Sequence, residues 1–98
     1  MTITKTQDKN VLTLYLEGRL DTTTSPQLEQ ELAASLEGVT QLTLDLAKLA
    51  YLSSAGLRVI LSAQKRMNKQ GQMVVRNVNE TIMEVFEVTG FVDILTIE

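Results

Sequence analysis

The sequence contains no histidine, no cysteine and no tryptophan, and it has a single proline. Without histidine there is no imidazole base, and without cysteine there is no thiolate nucleophile, no disulfide and no zinc cage of the usual ligands. Serine-hydrolase triads, cysteine proteases and structural zinc sites are therefore excluded. We expect a protein that is not an enzyme and that needs no cofactor.

The chain also lacks basic runs and long apolar runs. Nine basic and twelve acidic side chains give a net charge of -3, so the chain has no electrostatic means of holding a phosphate backbone, and we expect no nucleic-acid partner. No apolar stretch approaches the roughly 20 residues that span a bilayer. The segment Met1–Lys5 lacks the apolar region of a signal peptide. We therefore expect a cytoplasmic protein without membrane insertion.

What is present is the composition of an ordinary globular protein. Of the 98 residues, 44% are apolar and 21% are charged. A single core typically takes about 100 to 200 residues, so residues 1–98 are predicted to form one domain.

Alternating apolar residues predict a hairpin at the start of the chain. A weak alternation over residues 2–6 and a clean one over 11–16 flank a polar cluster, and the second strand is expected to end at Gly18. The dipeptide Ser25-Pro26 predicts a helix with Ser25 as N-cap and proline in the first helical position.

The remaining pattern alternates strands with helices. Strands are predicted at residues 42–46, 73–75 and 94–97, and helices from Ser54 to Gly71 and from Asn79 to Gly90. The predicted order is β-β-α-β-α-β-α-β. This is an α/β fold with a mixed, mostly parallel sheet, helices packed on it and the first strand at an edge.

The segment from Tyr51 to Leu57 places two adjacent hydroxyls, Ser53 and Ser54, at the start of a helix. One interpretation is an N-cap alone, which contributes about 1 kcal/mol. The other is a contact or modification site, because ligands of open α/β sheets bind beyond the strand ends and a helix N-terminus stabilises a phosphate. Phosphorylation would add about -1.5 to -2 charges.

Two carboxylates also have alternative roles. Asp21 either accepts hydrogen bonds from loop N–H groups ahead of the first helix or contacts a partner. Asp45, between two leucines, is predicted to be a structural carboxylate at a strand end.

Three motifs run through the chain in register: Gly18-Arg19-Leu20-Asp21, the segment from Asp45 to Leu57, and Thr89-Gly90-Phe91. With them the chain resembles, over essentially all 98 residues, the STAS domain of bacterial anti-sigma factor antagonists. The resemblance implies a STAS-like fold and a role in partner switching that regulates transcription. In that role the unmodified antagonist binds an anti-sigma factor with serine kinase activity, and phosphorylation ends the binding.

The resemblance assigns phosphorylation to Ser54 and brings the Asp21 loop beside that turn. The implied partner-binding residues are Asp21, Ser53, Ser54, Ala55 and Gly56. A serine phosphatase is a further implied partner.

The chain departs from the family pattern at Ser53, because the residue before the phosphorylated serine is usually Asp; Ala55 also replaces a common hydroxyl residue. Ser53 is therefore an alternative phosphorylation site. The departure also favours a second hypothesis, a constitutive STAS subunit of a lipid or anion transport complex in which no serine is modified. An enzyme or small-ligand sensor has little support, because the sequence offers carboxylates and hydroxyls but no histidine or cysteine to act as a base near neutral pH.

Overall fold

The computed structural model describes all 98 residues, which form a four-stranded sheet and three α-helices. The elements are β1 (Thr2–Asp8), β2 (Val11–Leu20), α1 (Ser25–Ser35), β3 (Gln41–Leu52), α2 (Ser54–Gln70), β4 (Gln72–Arg76) and α3 (Glu80–Thr89), followed by a short 3-10 turn at Phe91–Asp93. The strand order is β1-β2-β3-β4, with β1 antiparallel to β2 and the other pairs parallel. The predicted α/β class, the mostly parallel sheet and the edge position of β1 are confirmed.

The core lies between one face of the sheet and the helices. Because side chains alternate along a strand, the leucines of β2 and β3 point to the same side. They are fully buried: Leu12, Leu14, Leu16, Leu42, Leu44 and Leu46. Right-handed connections through adjacent parallel strands place α1 and α2 on one face, where they pack against each other. None of the helices is long and apolar enough to cross a membrane.

Several boundaries differ from those predicted. The largest difference is in β3, which was predicted at residues 42–46 and extends from Gln41 to Leu52. β2 continues past Gly18 to Leu20, because Gly18 adopts a φ of +105° and the pairing with β3 shifts register there. The N-cap of α1 is Thr24 instead of Ser25. Ser25 is the first helical residue. Its hydroxyl donates to the carbonyl oxygen of Asp21 at 2.5 Å and is therefore engaged with the preceding loop.

The predicted last strand was wrong. After α3, the N–H groups of Ile94 and Leu95 both donate to the carbonyl of Phe91, which closes a 3-10 turn at Phe91–Asp93, directly before the expected strand. Only Ile97 reaches the sheet, in an isolated parallel bridge to Val75. These bonds engage Ile94 and Leu95, the first two residues of the predicted strand, and too few residues remain to form a strand.

Candidate functional site

Two loops leave the carboxyl edge of the sheet side by side. β2 and β3 are parallel, and their last residues, Leu20 and Leu52, are in register. The loops are joined directly, because the N–H of Ser53 donates to the carbonyl of Leu20 at 2.9 Å. We call residues 19–24 and 51–56 together the carboxyl-edge surface. It brings together the five residues that the resemblance implies for partner binding: Asp21, Ser53, Ser54, Ala55 and Gly56.

Ser53 is the N-cap of α2. Its backbone is extended, with φ of -98° and ψ of 174°, and its Oγ accepts a hydrogen bond from the N–H of Gly56 at 3.4 Å. The side chain is half-buried. The capping interpretation therefore applies to Ser53, which satisfies one of the free N–H groups at the start of the helix.

Ser54 is the first residue of the 17-residue helix α2. Its side chain is exposed, and its hydroxyl makes no hydrogen bond within the chain. The first turn of α2 contains no acidic residue. An incoming phosphoryl group at Ser54 would meet free N–H groups and the positive end of a long helix, both of which stabilise a dianion.

Gly56 lets the two loops approach each other. A Cβ on this buried residue would lie 2.7 Å from Leu20 Cγ, 2.7 Å from Leu52 Cδ1 and 3.0 Å from the carbonyl oxygen of Leu20. No other residue type fits without movement of the loops. Gly56 is therefore the buried member of the carboxyl-edge surface and sets how closely the two loops approach, whereas its neighbour Ala55 is half-exposed.

Asp21 organises the loop between β2 and α1. Its Oδ1 accepts hydrogen bonds from the N–H groups of Thr23, at 3.0 Å, and Thr24, at 3.1 Å. The N–H of Asp21 in turn donates to Thr24 Oγ1 at 2.9 Å. The N–H of Thr24 is the main cause that lowers the pKa of Asp21 below its usual value. Asp21 thus has the loop-ordering role, and part of its side chain faces solvent.

Arg19 and Tyr51 belong to the same surface and were missed from the sequence. They are in register on β2 and β3, and the Arg19 guanidinium carbon lies 4.1 Å from the centre of the Tyr51 ring. Arg19 Nε is also 3.6 Å from Asp21 Oδ2. Arg19 therefore connects the two loops through a cation–π contact and an ion pair. The sequence places Arg19 near Asp21, but only the strand register brings it to Tyr51.

Asp45 makes two hydrogen bonds and an ion pair within the chain, and it lies away from the carboxyl-edge surface. It sits within β3, at the last residue paired with β4, instead of at the strand end as predicted. Its carboxylate accepts from Asn77 Nδ2 at 2.8 Å and from the N–H of Ala47 at 3.0 Å, and Arg76 Nε is 3.6 Å away. These contacts hold the end of β4 and the residue after it against the interior of β3.

Comparison with known proteins identifies relatives along the whole chain. The family model for the STAS domain matches residues 2–98. BtrV of Bordetella bronchiseptica, whose name describes an anti-sigma factor antagonist, is 37% identical over 99% of this chain and 85% of its own length.

Solved structures share the fold at lower identity. An anti-sigma factor antagonist from Mycobacterium paratuberculosis superposes with a TM-score of 0.89 at 22% identity, over 98% of this chain and 83% of that one. The Bacillus cell fate determinant SpoIIAA in its phosphorylated form gives a TM-score of 0.77 at 17% identity, over 99% and 91% of the two chains. These two similarities establish the architecture.

Proposed function

Because the chain belongs to the STAS domain family, we propose that it is an anti-sigma factor antagonist whose binding to an anti-sigma factor is controlled by phosphorylation of Ser54. The name of BtrV, a relative that matches almost the entire chain, supports the antagonist role. SpoIIAA, which has the same architecture, exists in unphosphorylated and phosphorylated forms. The implied partners are an anti-sigma factor with serine kinase activity and a serine phosphatase that restores the unmodified protein.

The observation that carries the proposal is the free, exposed hydroxyl of Ser54 at the start of α2. A kinase must reach the hydroxyl that it modifies, and Ser54 is accessible without unfolding of the turn. Ser53 is half-buried and its Oγ is engaged in the cap, so its modification would break the start of the helix. This difference favours Ser54 over Ser53 as the phosphorylation site.

Charge and desolvation explain how phosphorylation would end the binding. In the free protein, the phosphoryl group is hydrated and lies at the positive end of α2. In a complex that covers the carboxyl-edge surface, the same dianion loses water and costs several kcal/mol unless the partner supplies cations. Since about 1.4 kcal/mol corresponds to a tenfold change in affinity, this cost suffices for a switch.

Incubation of the protein with its cognate anti-sigma factor kinase and ATP tests the proposal. We expect intact-mass measurement to show one added phosphoryl group, lost in Ser54→Ala and retained in Ser53→Ala. The phosphorylated protein should no longer co-purify with the anti-sigma factor. A wild-type chain that stays unmodified while the kinase is active would contradict the switch.

Ser53, in place of the carboxylate common in the family, favours one second candidate: a constitutive STAS subunit of a lipid or anion transport complex. A pull-down from the native organism separates the two functions. Recovery of transporter subunits, together with unchanged binding by Ser54→Asp, would support the transport role; recovery of a kinase would support the antagonist role.

A further inference from the structure

A continuous groove runs between α1 and α2. Two depressions in this region share three lining residues, Glu29, Val59 and Ser62, so they form one feature. One end lies beside Ala55 and the other beside Leu36 and Arg66. We call this feature the α1–α2 groove. The lining is mostly apolar at the end beside Leu36 and mostly polar at the end beside Ala55.

The two helices that form the groove carry charges of opposite sign. α2 contains four basic residues and no acidic one, whereas α1 contains two glutamates and no basic residue. The four bases, none of which forms an ion pair within the chain, are Arg58, Lys65, Arg66 and Lys69. Glu29 on one wall therefore faces a wall that carries Arg58 and Arg66. This basic helix is unexpected in a chain with a net charge of -3.

The length of the groove matches a short helix. From Ala55 to Arg66, α2 rises by about 16 Å at 1.5 Å per residue, which corresponds to about three helical turns. Arg58 and Arg66 are separated by about 12 Å along the same axis. Carboxylates seven or eight residues apart on a helix in the groove could reach both guanidinium groups.

We propose that the α1–α2 groove binds an amphipathic helix of the anti-sigma factor, with its acidic edge along α2 and a basic edge along α1. The charge complementarity defines both the occupant and its orientation. The inference rests on the proposed function, and it extends the partner contact from the carboxyl-edge surface onto the helices. Continuity supports this extension, because Ala55 belongs to both features.

The groove also gives the switch a second component. Arg58 lies one helical turn after Ser54, a spacing at which side chains on a helix meet. A phosphoryl group on Ser54 competes for Arg58 with the acidic edge of the partner helix and repels that edge. Phosphorylation thereby weakens the helix contact as well as the contact at the turn.

Charge reversal on α2 tests the groove. We expect Arg58→Glu/Arg66→Glu to weaken the affinity of the unphosphorylated protein for its cognate anti-sigma factor about 100-fold, measured by calorimetry. Glu29→Lys should weaken it about fivefold, because this substitution removes the acidic wall that faces the basic edge. Circular dichroism checks that each variant is folded.

The matched control is Lys9→Glu/Lys48→Glu, which makes the same change in net charge at exposed sites outside the groove. We expect an effect of less than about threefold. If both double variants lost affinity for the anti-sigma factor equally, the groove proposal would be wrong. Binding by the wild type would still support the antagonist role in that case. No binding by the wild type would overturn both. In the absence of the anti-sigma factor, a sedimentation coefficient of Arg58→Glu/Arg66→Glu that differed from the wild-type value would show that the groove binds a second copy of this chain. That result would overturn the proposal.

Discussion

Two adjacent serines at the start of α2 have different environments. Ser53 is held by the Gly56 N–H, whereas Ser54 projects into solvent with no bond within the chain. Because both side chains carry a hydroxyl, residue type alone does not show which serine is the N-cap of α2. The extended backbone of Ser53 decides the matter, since an N-cap has non-helical dihedral angles. One residue thus stabilises the helix and leaves its neighbour available for modification.

Gly56 is the residue at this site that we expect to tolerate least change. Gly56→Ala places a methyl group 2.7 Å from the side chains of Leu20 and Leu52. Overpacking of this kind costs about 1–3 kcal/mol, which exceeds the gain of up to about 1 kcal/mol from replacing a helical glycine. We therefore expect a net loss of about 1–2 kcal/mol in the free energy of unfolding, measured in urea by circular dichroism.

Ser54→Ala serves as the control for this substitution, because it changes an exposed side chain that forms no hydrogen bond, two residues earlier. Its free energy of unfolding should stay within about 0.5 kcal/mol of the wild-type value. A Gly56→Ala protein as stable as the wild type would mean that the two loops are able to move apart.

At the scale of a single element, α2 contains one poorly satisfied and one well satisfied glutamine. Gln64 is 5% exposed, and its Oε1 has no hydrogen-bond partner, although its Nε2 donates to Asn68. Gln70 Nε2 donates to the carbonyls of Leu36 and Val39, at 2.7 and 2.6 Å. Gln70 thus ties the end of α2 to the connection between α1 and β3.

The same substitution at these two positions should have opposite effects. Gln64→Met removes a buried, unpaired acceptor and keeps the side-chain length, so we expect about 1 kcal/mol of added stability. Gln70→Met leaves two carbonyls without their donor and should cost about 1–2 kcal/mol. Thermal and urea unfolding of both variants measure the difference. Destabilisation of the same size at both sites would show that Gln64 Oε1 has a partner such as a bound water.

Local sequence pattern correctly predicts some of the secondary-structure elements and not others. Leucines at every second position of β2 identify its buried face, and Asn79 caps α3 as predicted, its side chain accepting from the N–H of Ile82. Residues 94–97 were misassigned to a strand because their apolar side chains do not distinguish a strand from the residues that close a turn. The left-handed conformation at Gly90 directs the chain into the 3-10 turn instead.

At the scale of the whole molecule, the candidate site depends on strand register, which the sequence does not encode locally. The motifs identified Asp21 and Ser54, but the contact of Arg19 with Tyr51 arises only because β2 and β3 pair in parallel at that register. The α1–α2 groove was likewise invisible, since its opposite charges come from two separate helices. Long-range pairing, and not residue type, determines which side chains share a surface.

Two carboxylates in and next to α1 make the stability of the protein sensitive to acid. Asp21 orders the loop before α1. Glu31 accepts a hydrogen bond from Ser35 Oγ within α1 at 2.6 Å, and its ion pair with Lys5 Nζ at 3.5 Å connects α1 to β1. Hydrogen bonds, from the Thr24 N–H to Asp21 and from Ser35 to Glu31, are the main causes that lower the pKa of each group in the folded state below the usual 3.8 and 4.5. A carboxylate with a lowered pKa stabilises the folded state above its unfolded pKa, and this contribution is lost as the pH falls through the folded pKa.

We therefore expect Asp21→Asn/Glu31→Gln to be less stable than the wild type near pH 7, and the difference to shrink as the pH falls below the usual values of 3.8 and 4.5. Urea unfolding at several pH values measures this difference. The control, Glu84→Gln/Asp93→Asn, removes two exposed carboxylates that make no ion pair or side-chain hydrogen bond within the chain. A difference for Asp21→Asn/Glu31→Gln that stays constant with pH would show that these variants act through shape alone. A difference that disappears in acid would establish that the negative charges of Asp21 and Glu31 stabilise the folded state.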